Sequence, residues 1–277
     1  MITLLDGPLG TELQVRGVPN DVHCWSAGAI ESSPEVIQQI HADYVAAGAT
    51  VHTANTFRTN RRASGDRWIE RTKLAVALTR AAVPSGHRVA GSIAPVEDCY
   101  RSDLSPGAAA EGEHREMAET LVAAGCDLLL CETFVDAQEA IAAVRASVRT
   151  GVETWLALTA GPDADLMTPQ TMAEVASHAI QEGSTAVLVN CTPATRTEPF
   201  VRAIAERNLG VPIGAYANAG SVDDQIGWRP PSEPGIQAYV GFAQRWIEAG
   251  ATVIGGCCGT GPEHIRALRS MVHETGA

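Results

Sequence analysis

The sequence is poor in positive charge. Twenty Lys and Arg stand against 32 Asp and Glu, a formal net charge of −12 over 277 residues. Nucleic acid and anionic membrane surfaces both require basic patches, so neither is expected as a partner. A cationic or zwitterionic small substrate is compatible with this acidity. No apolar run approaches the ~20 residues a helix needs to cross a bilayer. The opening Met1-Ile2-Thr3-Leu4-Leu5-Asp6 lacks both the basic segment and the long apolar stretch of a secretory signal. The seven cysteines form no regularly spaced framework. They read as reduced thiols, and a cytoplasmic protein is expected. Among eight histidines there is no His-x-x-x-His pair of the kind that builds helical metal sites. No linker or low-complexity segment divides the chain, so residues 1–277 are read as one domain, a size at which α/β barrels commonly occur.

What the sequence does have is alternation. Short apolar runs at Thr3–Asp6, Thr50–Thr56, Arg88–Ile93, Asp127–Thr133, Thr154–Thr159, Ala186–Cys191, Pro212–Tyr216 and Thr252–Cys257 predict strands. Between them lie helical patterns, including Pro34–Ala47, Arg67–Val83, Glu113–Ala124, Asp136–Val148 and Pro169–Gln181. The first carries Ser33 at the N-cap and Pro34 at the first helical position. Continuous Val/Leu/Ile strands separated by helices indicate a parallel sheet covered on both faces. Eight such units predict an α/β fold, a closed (β/α)8 TIM barrel, with a doubly wound open sheet as the alternative. Gly48, Gly125, Gly183 and Gly250 each close a helix ahead of an even-numbered strand, where a left-handed C-cap is expected. Two long connections, from Pro95 to Gly112 and from Ala217 to Pro234, would lie at the C-terminal face, where barrel active sites are built. The second contains Trp228, Pro230 and Pro231 and is read as a shaped binding wall.

Reactive groups fall at the predicted strand ends: Asp6, Asn55 and Thr56, Glu132 and Thr133, Asn190 and Cys191, Asn218, and Cys257 and Cys258. In a closed barrel these surround one mouth. The stretch Gly255-Gly256-Cys257-Cys258-Gly259 admits three readings from its own residues: half of a soft-metal site, a vicinal disulfide or a glycine-rich phosphate loop. With Cys191 beside them, Cys257 and Cys258 could hold one Zn2+ through three thiolates and leave its fourth position open, as catalytic zinc requires. Cys131 should face the helix layer if Glu132 faces the interior. Cys126 lies at a strand start, while Cys24 and Cys99 lie in loops. His264, in the first turn of the last helix, is read as a surface or packing residue. Asp6 in an Asp-Gly turn and Glu132 as a helix cap have structural readings of their own.

Asp6-Gly-Pro-Leu-Gly-Thr-Glu-Leu13, Thr53-Ala-Asn-Thr-Phe57, Cys131-Glu-Thr-Phe134, Val189-Asn-Cys191 and Gly255-Gly-Cys-Cys-Gly-Thr-Gly-Pro-Glu-His-Ile265 resemble the zinc-dependent homocysteine S-methyltransferase family. That family includes S-methylmethionine- and betaine-dependent enzymes and the homocysteine module of cobalamin-dependent methionine synthase. The resemblance implies that Cys191, Cys257 and Cys258 bind Zn2+ and that Asp6 and Glu132 hold the amino group of homocysteine. It implies that Thr53, Asn55 and Thr56 line the amino-acid pocket. Asn55, Asn190 and Asn218 could contact the substrate carboxylate or orient their neighbours. Pro8 departs from the usual Asp-Gly-Gly or Asp-Gly-Ala and lacks an amide hydrogen there. No betaine-type C-terminal extension and no cobalamin or folate module is seen, which suits a stand-alone enzyme with a small sulfonium donor.

A free thiol near pKa ~8.5 is mostly protonated at neutral pH, whereas a metal-held thiol is not. Three thiolates give the site negative charge, which favours a cationic donor such as S-methylmethionine or S-adenosylmethionine. The expected reaction is methyl transfer to L-homocysteine, forming methionine. The alternatives are a betaine- or corrinoid-linked module acting on a small thiol and, more distantly, a phosphate-binding barrel lyase or isomerase. Assembly into a homo-oligomer is compatible with the sequence.

Overall fold

A computed structural model describes residues 2–21, 24–219 and 232–275. The eight strands are β1 (Thr3–Leu4), β2 (Val51–Thr53), β3 (Arg88–Ile93), β4 (Leu128–Phe134), β5 (Thr154–Leu158), β6 (Ala186–Pro193), β7 (Ile213–Asn218) and β8 (Val253–Gly256). All pair in parallel in the order β1-β8-β7-β6-β5-β4-β3-β2. A bridge between Leu5 and Val51 brings β2 back to β1, so the sheet curls into the predicted barrel. The principal helices are α1 (Pro34–Ala47), α2 (Trp68–Ala82), α3 (Glu111–Ala123), α4 (Ala137–Val148), α5 (Pro169–Gln181), α6 (Ala194–Ala205), α7 (Glu233–Glu248) and α8 (Pro262–Thr275).

The pattern of two follows from which face each residue serves. Leu5, Val51, Ala90, Leu128, Leu130, Trp155, Ala157, Ala186, Leu188 and Val253 fill the barrel interior, and Tyr216, Cys191 and Cys257 belong to the same cluster. Their sequence neighbours, such as Val89, Leu129, Val187 and Ile254, pack outward against the helices. Each fully buried Leu, Ile or Val contributes roughly 1.5–3 kcal/mol. Because both faces are dry, the strands read as continuous apolar runs. The αβ turns use Gly48, Gly125, Gly183 and Gly250 at φ of 110°, 95°, 103° and 115°, the left-handed C-cap expected of them.

Several expectations change in detail. β1 and β2 stop short of Asp6 and Asn55, because the Asp6 side chain turns to accept the Thr53 amide at 2.8 Å. β6 and β7 each run two residues further than expected, since the ladder between them slips between Asn190 and Pro193 and then resumes. Ser33 stands at the N-cap of α1, but its side chain makes no cap hydrogen bond. Glu132 does not cap α4; Asp136 does, accepting the Glu139 amide at 2.8 Å. His264 is a packing residue and not a surface one, 2% exposed and edge-on to Tyr239. Cys131 faces the helices as expected, 3.3 Å from the Ser147 hydroxyl. The Pro95–Gly112 connection folds into two short 3-10 turns, Ser102–Leu104 and Gly107–Ala110. Trp228, Pro230 and Pro231 lie outside the described residues. Among the described residues, no helix is long and apolar enough to cross a membrane.

Candidate active site

Two strand ends present the thiols. At the end of β6, Cys191 adopts φ 47°, and at the end of β4, Thr133 adopts φ 65°. Such conformations are uncommon for residues with a Cβ and cost on the order of 1–3 kcal/mol, so the surroundings must hold them. Asn190 does this. Its Oδ1 accepts the Thr133 amide at 3.2 Å, and its Nδ2 donates to Thr133 Oγ1 at 2.8 Å and to Cys191 Sγ at 3.6 Å. Thr133 Oγ1 in turn donates to Cys191 Sγ at 3.7 Å. From β7, Asn218 Nδ2 donates to the Cys191 carbonyl at 3.1 Å.

At the end of β8 the chain leaves extended geometry at the cysteine pair. The Cys257 carbonyl accepts both the Thr260 amide at 3.0 Å and its hydroxyl at 2.8 Å, closing a turn. The preceding glycines serve close approach. A Cβ on Gly256 would lie 2.1 Å from Thr260 Oγ1, and one on Gly255 2.5 Å from Leu5 Cβ. Only Gly259 in this stretch has positive φ, at 80°. The amides of Gly256, Cys257, Gly259, Thr260 and Gly261 are all donated within the protein, to Asp6 O, Ala217 O, Thr11 Oγ1, Cys257 O and His264 Nδ1. That leaves them no hydrogen to offer a phosphate.

The result is three sulfurs, of Cys191, Cys257 and Cys258, within 4.8 Å of one another. Cys191 and Cys257 are buried and Cys258 is half-buried. Hydrogen bonds from Cys191 and Cys257 hold the Cys258 thiol well below its ordinary pKa. Cys257 is pushed well above it by its bonds to Cys191 and Cys258 and by burial. Crowded, buried thiols resist ionising together, whereas a soft dication lets all three ionise. The donor set therefore fits a metal ion.

Two carboxylates share the mouth. Glu132, on β4, accepts hydrogen bonds from Ser92 Oγ and from Tyr216 OH, the latter at 2.8 Å. Burial pushes it up to about 7. Asp6 is likewise raised well above the ordinary carboxylate range by burial, with the Thr53 amide opposing and the Glu132 charge adding to the shift. Asn218 Oδ1 is buried with no hydrogen-bond partner among the described residues. Asn55 and Thr56 have spent their polar groups inside the protein. Asn55 pairs with the Ser26 hydroxyl at 2.6 Å and the Ser26 carbonyl at 2.9 Å, and Thr56 Oγ1 donates to the Ser92 carbonyl at 2.9 Å. Thr53 contributes its amide to Asp6 and keeps a half-buried side chain.

Sequence reasoning missed three neighbours of this site. Ser92 and Tyr216 hold Glu132, and Tyr100, from the Pro95–Gly112 connection, packs on the cluster containing Cys191 and Cys257. Ser92 and Tyr216 sit inside apolar runs, where a lone hydroxyl gives no periodic signal. Tyr100 sits in an irregular loop beside Cys99, whose thiol burial pushes up to about 12.

Residues 3–272 fit the profile of the homocysteine S-methyltransferase family. The homocysteine S-methyltransferase YbgG of Bacillus subtilis is 30% identical over 305 residues, covering 99% of this chain and 95% of that protein. The homocysteine S-methyltransferase of Escherichia coli is 27% identical, covering 97% and 94%. The crystal structure of homocysteine methyltransferase MmuM from Escherichia coli in its metallated form superposes with a TM-score of 0.81 at 26% identity, covering 98% of this chain and 96% of that one.

Proposed function

The chain belongs to the homocysteine S-methyltransferase family, and from that premise we propose that it moves a methyl group from S-methylmethionine or S-adenosylmethionine to the thiol of L-homocysteine, forming methionine. The observation that carries this reading is the meeting of three sulfurs within 4.8 Å at a mouth that also holds two buried carboxylates. Cys191, Cys257 and Cys258 would hold Zn2+, which suits a soft all-thiolate set with a free position. When bound, the ion supplies a positive centre that keeps the substrate thiol deprotonated.

The chain's own residues supply the rest. Asn190 and Thr133 fix the Cys191 sulfur through hydrogen bonds that also lock their own backbones. Glu132, held by Ser92 and Tyr216, and Asp6, held by the Thr53 amide, face the substrate ammonium as its counter-charges. Asn218 offers its unpartnered Oδ1 to the same amino group. Asn55 and Thr56 act as frame. The new bond joins the homocysteine sulfur to the methyl carbon as the donor's carbon–sulfur bond breaks. A sulfonium donor leaves as a neutral thioether, and the thiol proton goes to solvent. No base is needed at the methyl group; alignment of the two sulfurs and the carbon is the protein's task. We read residues 1–277 as one catalytic domain. Seven cysteines with no regularly spaced framework suit a reducing, cytoplasmic setting.

Cys257→Ser tests this directly. The variant should lose bound zinc and methionine formation together. A variant that is as active as the parent with no zinc in either protein would refute the reading.

A further inference from the structure

A second group of metal-binding side chains lies behind the mouth, between β2 and α1. A carboxylate oxygen of Asp6 and one ring nitrogen each of His41 and His52 lie within 4.8 Å of one another. His41 and His52 are 0% exposed and Asp6 is 3% exposed. None of the three thiols takes part.

The hydrogen bonds around this group leave it incomplete. Thr79 donates its hydroxyl hydrogen to the Ala75 carbonyl at 3.0 Å and therefore accepts from His41 Nε2–H at 3.0 Å. His41 Nδ1 is then a bare lone pair. It stands 4.0 Å from Asp6 Oδ2, beyond hydrogen-bond reach. On the other side, His52 Nε2 pairs with His87 Nδ1 at 3.0 Å, and the ring also hydrogen-bonds the Ala49 backbone. His41 Nδ1 has no partner among the described residues. A buried nitrogen without a partner beside a buried carboxylate is costly unless something positive joins them.

We propose that Asp6, His41 and His52 form a second metal site, for a divalent first-row transition-metal ion, distinct from the three-thiolate site. Two imidazoles and a carboxylate are the ligand set such ions take. Burial works in favour of binding, since it lowers His41 to about 3 and His52 to about 4, so no proton competes for their lone pairs near neutral pH. Thr79 and His87 occupy the outer nitrogens and orient the two rings, as partners of metal-binding imidazoles do. The ion would tie Asp6 to the helix layer and fix the direction of its carboxylate at the mouth. Asp6 is shared with the methyl-transfer reading, but the test reads metal content, which does not depend on activity.

The test counts cobalt in the full-length protein after metal-free preparation and dialysis against Co2+. The expected result is two ions per chain in the parent and one in His52→Leu. The folded triple variant Cys191→Ser/Cys257→Ser/Cys258→Ser should keep one ion, whose spectrum lacks the near-ultraviolet sulfur-to-cobalt charge-transfer band. One ion per chain in the parent overturns the proposal. So does a second ion that survives His52→Leu, or loss of both ions from the folded triple variant. If His52→Leu does not fold, the parent stoichiometry and the triple variant's spectrum decide.

Discussion

Thr133 Oγ1 donates a hydrogen bond to Cys191 Sγ across 3.7 Å, and both residues sit in the left-handed region, at φ 65° and 47°. One contact thus joins the ends of β4 and β6 and turns a sulfur toward Cys257 and Cys258. Valine keeps the branch and shape of Thr133 without the hydroxyl. Thr133→Val should weaken zinc binding by about tenfold, the usual scale for losing a partner of a metal ligand. Competition with a chromogenic chelator measures it. Unchanged affinity would remove the hydroxyl from the account.

Glu132 is pushed up to about 7 chiefly by burial, while its bonds from Ser92 and Tyr216 pull it down. Only its ionised form can pair with the substrate ammonium. Homocysteine KM should therefore rise as the pH falls through about 7. Tyr216→Phe removes one stabilising donor, so that limb should move to higher pH and KM at neutrality should rise by about tenfold, the worth of one hydrogen bond to a charge. A limb that stays in place would show that Tyr216 does not act through Glu132.

His52 is lowered from 6.5 to about 4 by burial and by His87. The unfolded chain takes up a proton at this residue below about 6.5, which the folded chain resists until about 4. Its contribution to stability is thus present above that window and is lost as the pH falls through it. His52→Leu lacks this term. Compared by urea unfolding without metal, the variant should gain on the parent by on the order of 1 kcal/mol per pH unit across the window. A pH-independent difference would contradict the assigned burial effect.

Gly256→Ala would place a methyl 2.1 Å from Thr260 Oγ1, which is itself bound to the Cys257 carbonyl. Thr260 is 3% exposed and has little room to retreat. A loss of about 1–3 kcal/mol is expected from overpacking, with weaker metal retention as the turn opens. Thermal unfolding and metal analysis on the same sample check both effects.

The barrel and the meeting of Cys191, Cys257 and Cys258 were legible in the sequence because they depend on patterns that repeat. Apolar runs mark strands, and reactive residues at the ends of parallel strands must converge. The slips in register at β4 and β6 were not legible, because Thr133 and Cys191 owe their conformation to Asn190, which reaches across strands. The roles of Gly255 and Gly256 were not legible for a related reason. Glycine suggests backbone freedom, whereas here it serves contact with Leu5 and Thr260, distant in sequence. Asn55 and Thr56 stand among the site residues of the resemblance, but their polar groups are engaged by Ser26 and Ser92. No spacing along one chain reveals which partner a side chain has found.

The most direct test of the central claim is methionine formation by the purified, zinc-loaded protein given L-homocysteine and, in separate reactions, S-methylmethionine, S-adenosylmethionine and betaine. The account predicts methionine from a sulfonium donor with no partner protein, lost on chelation and restored by zinc. Methionine from none of these donors, with zinc bound and the protein folded, would contradict it.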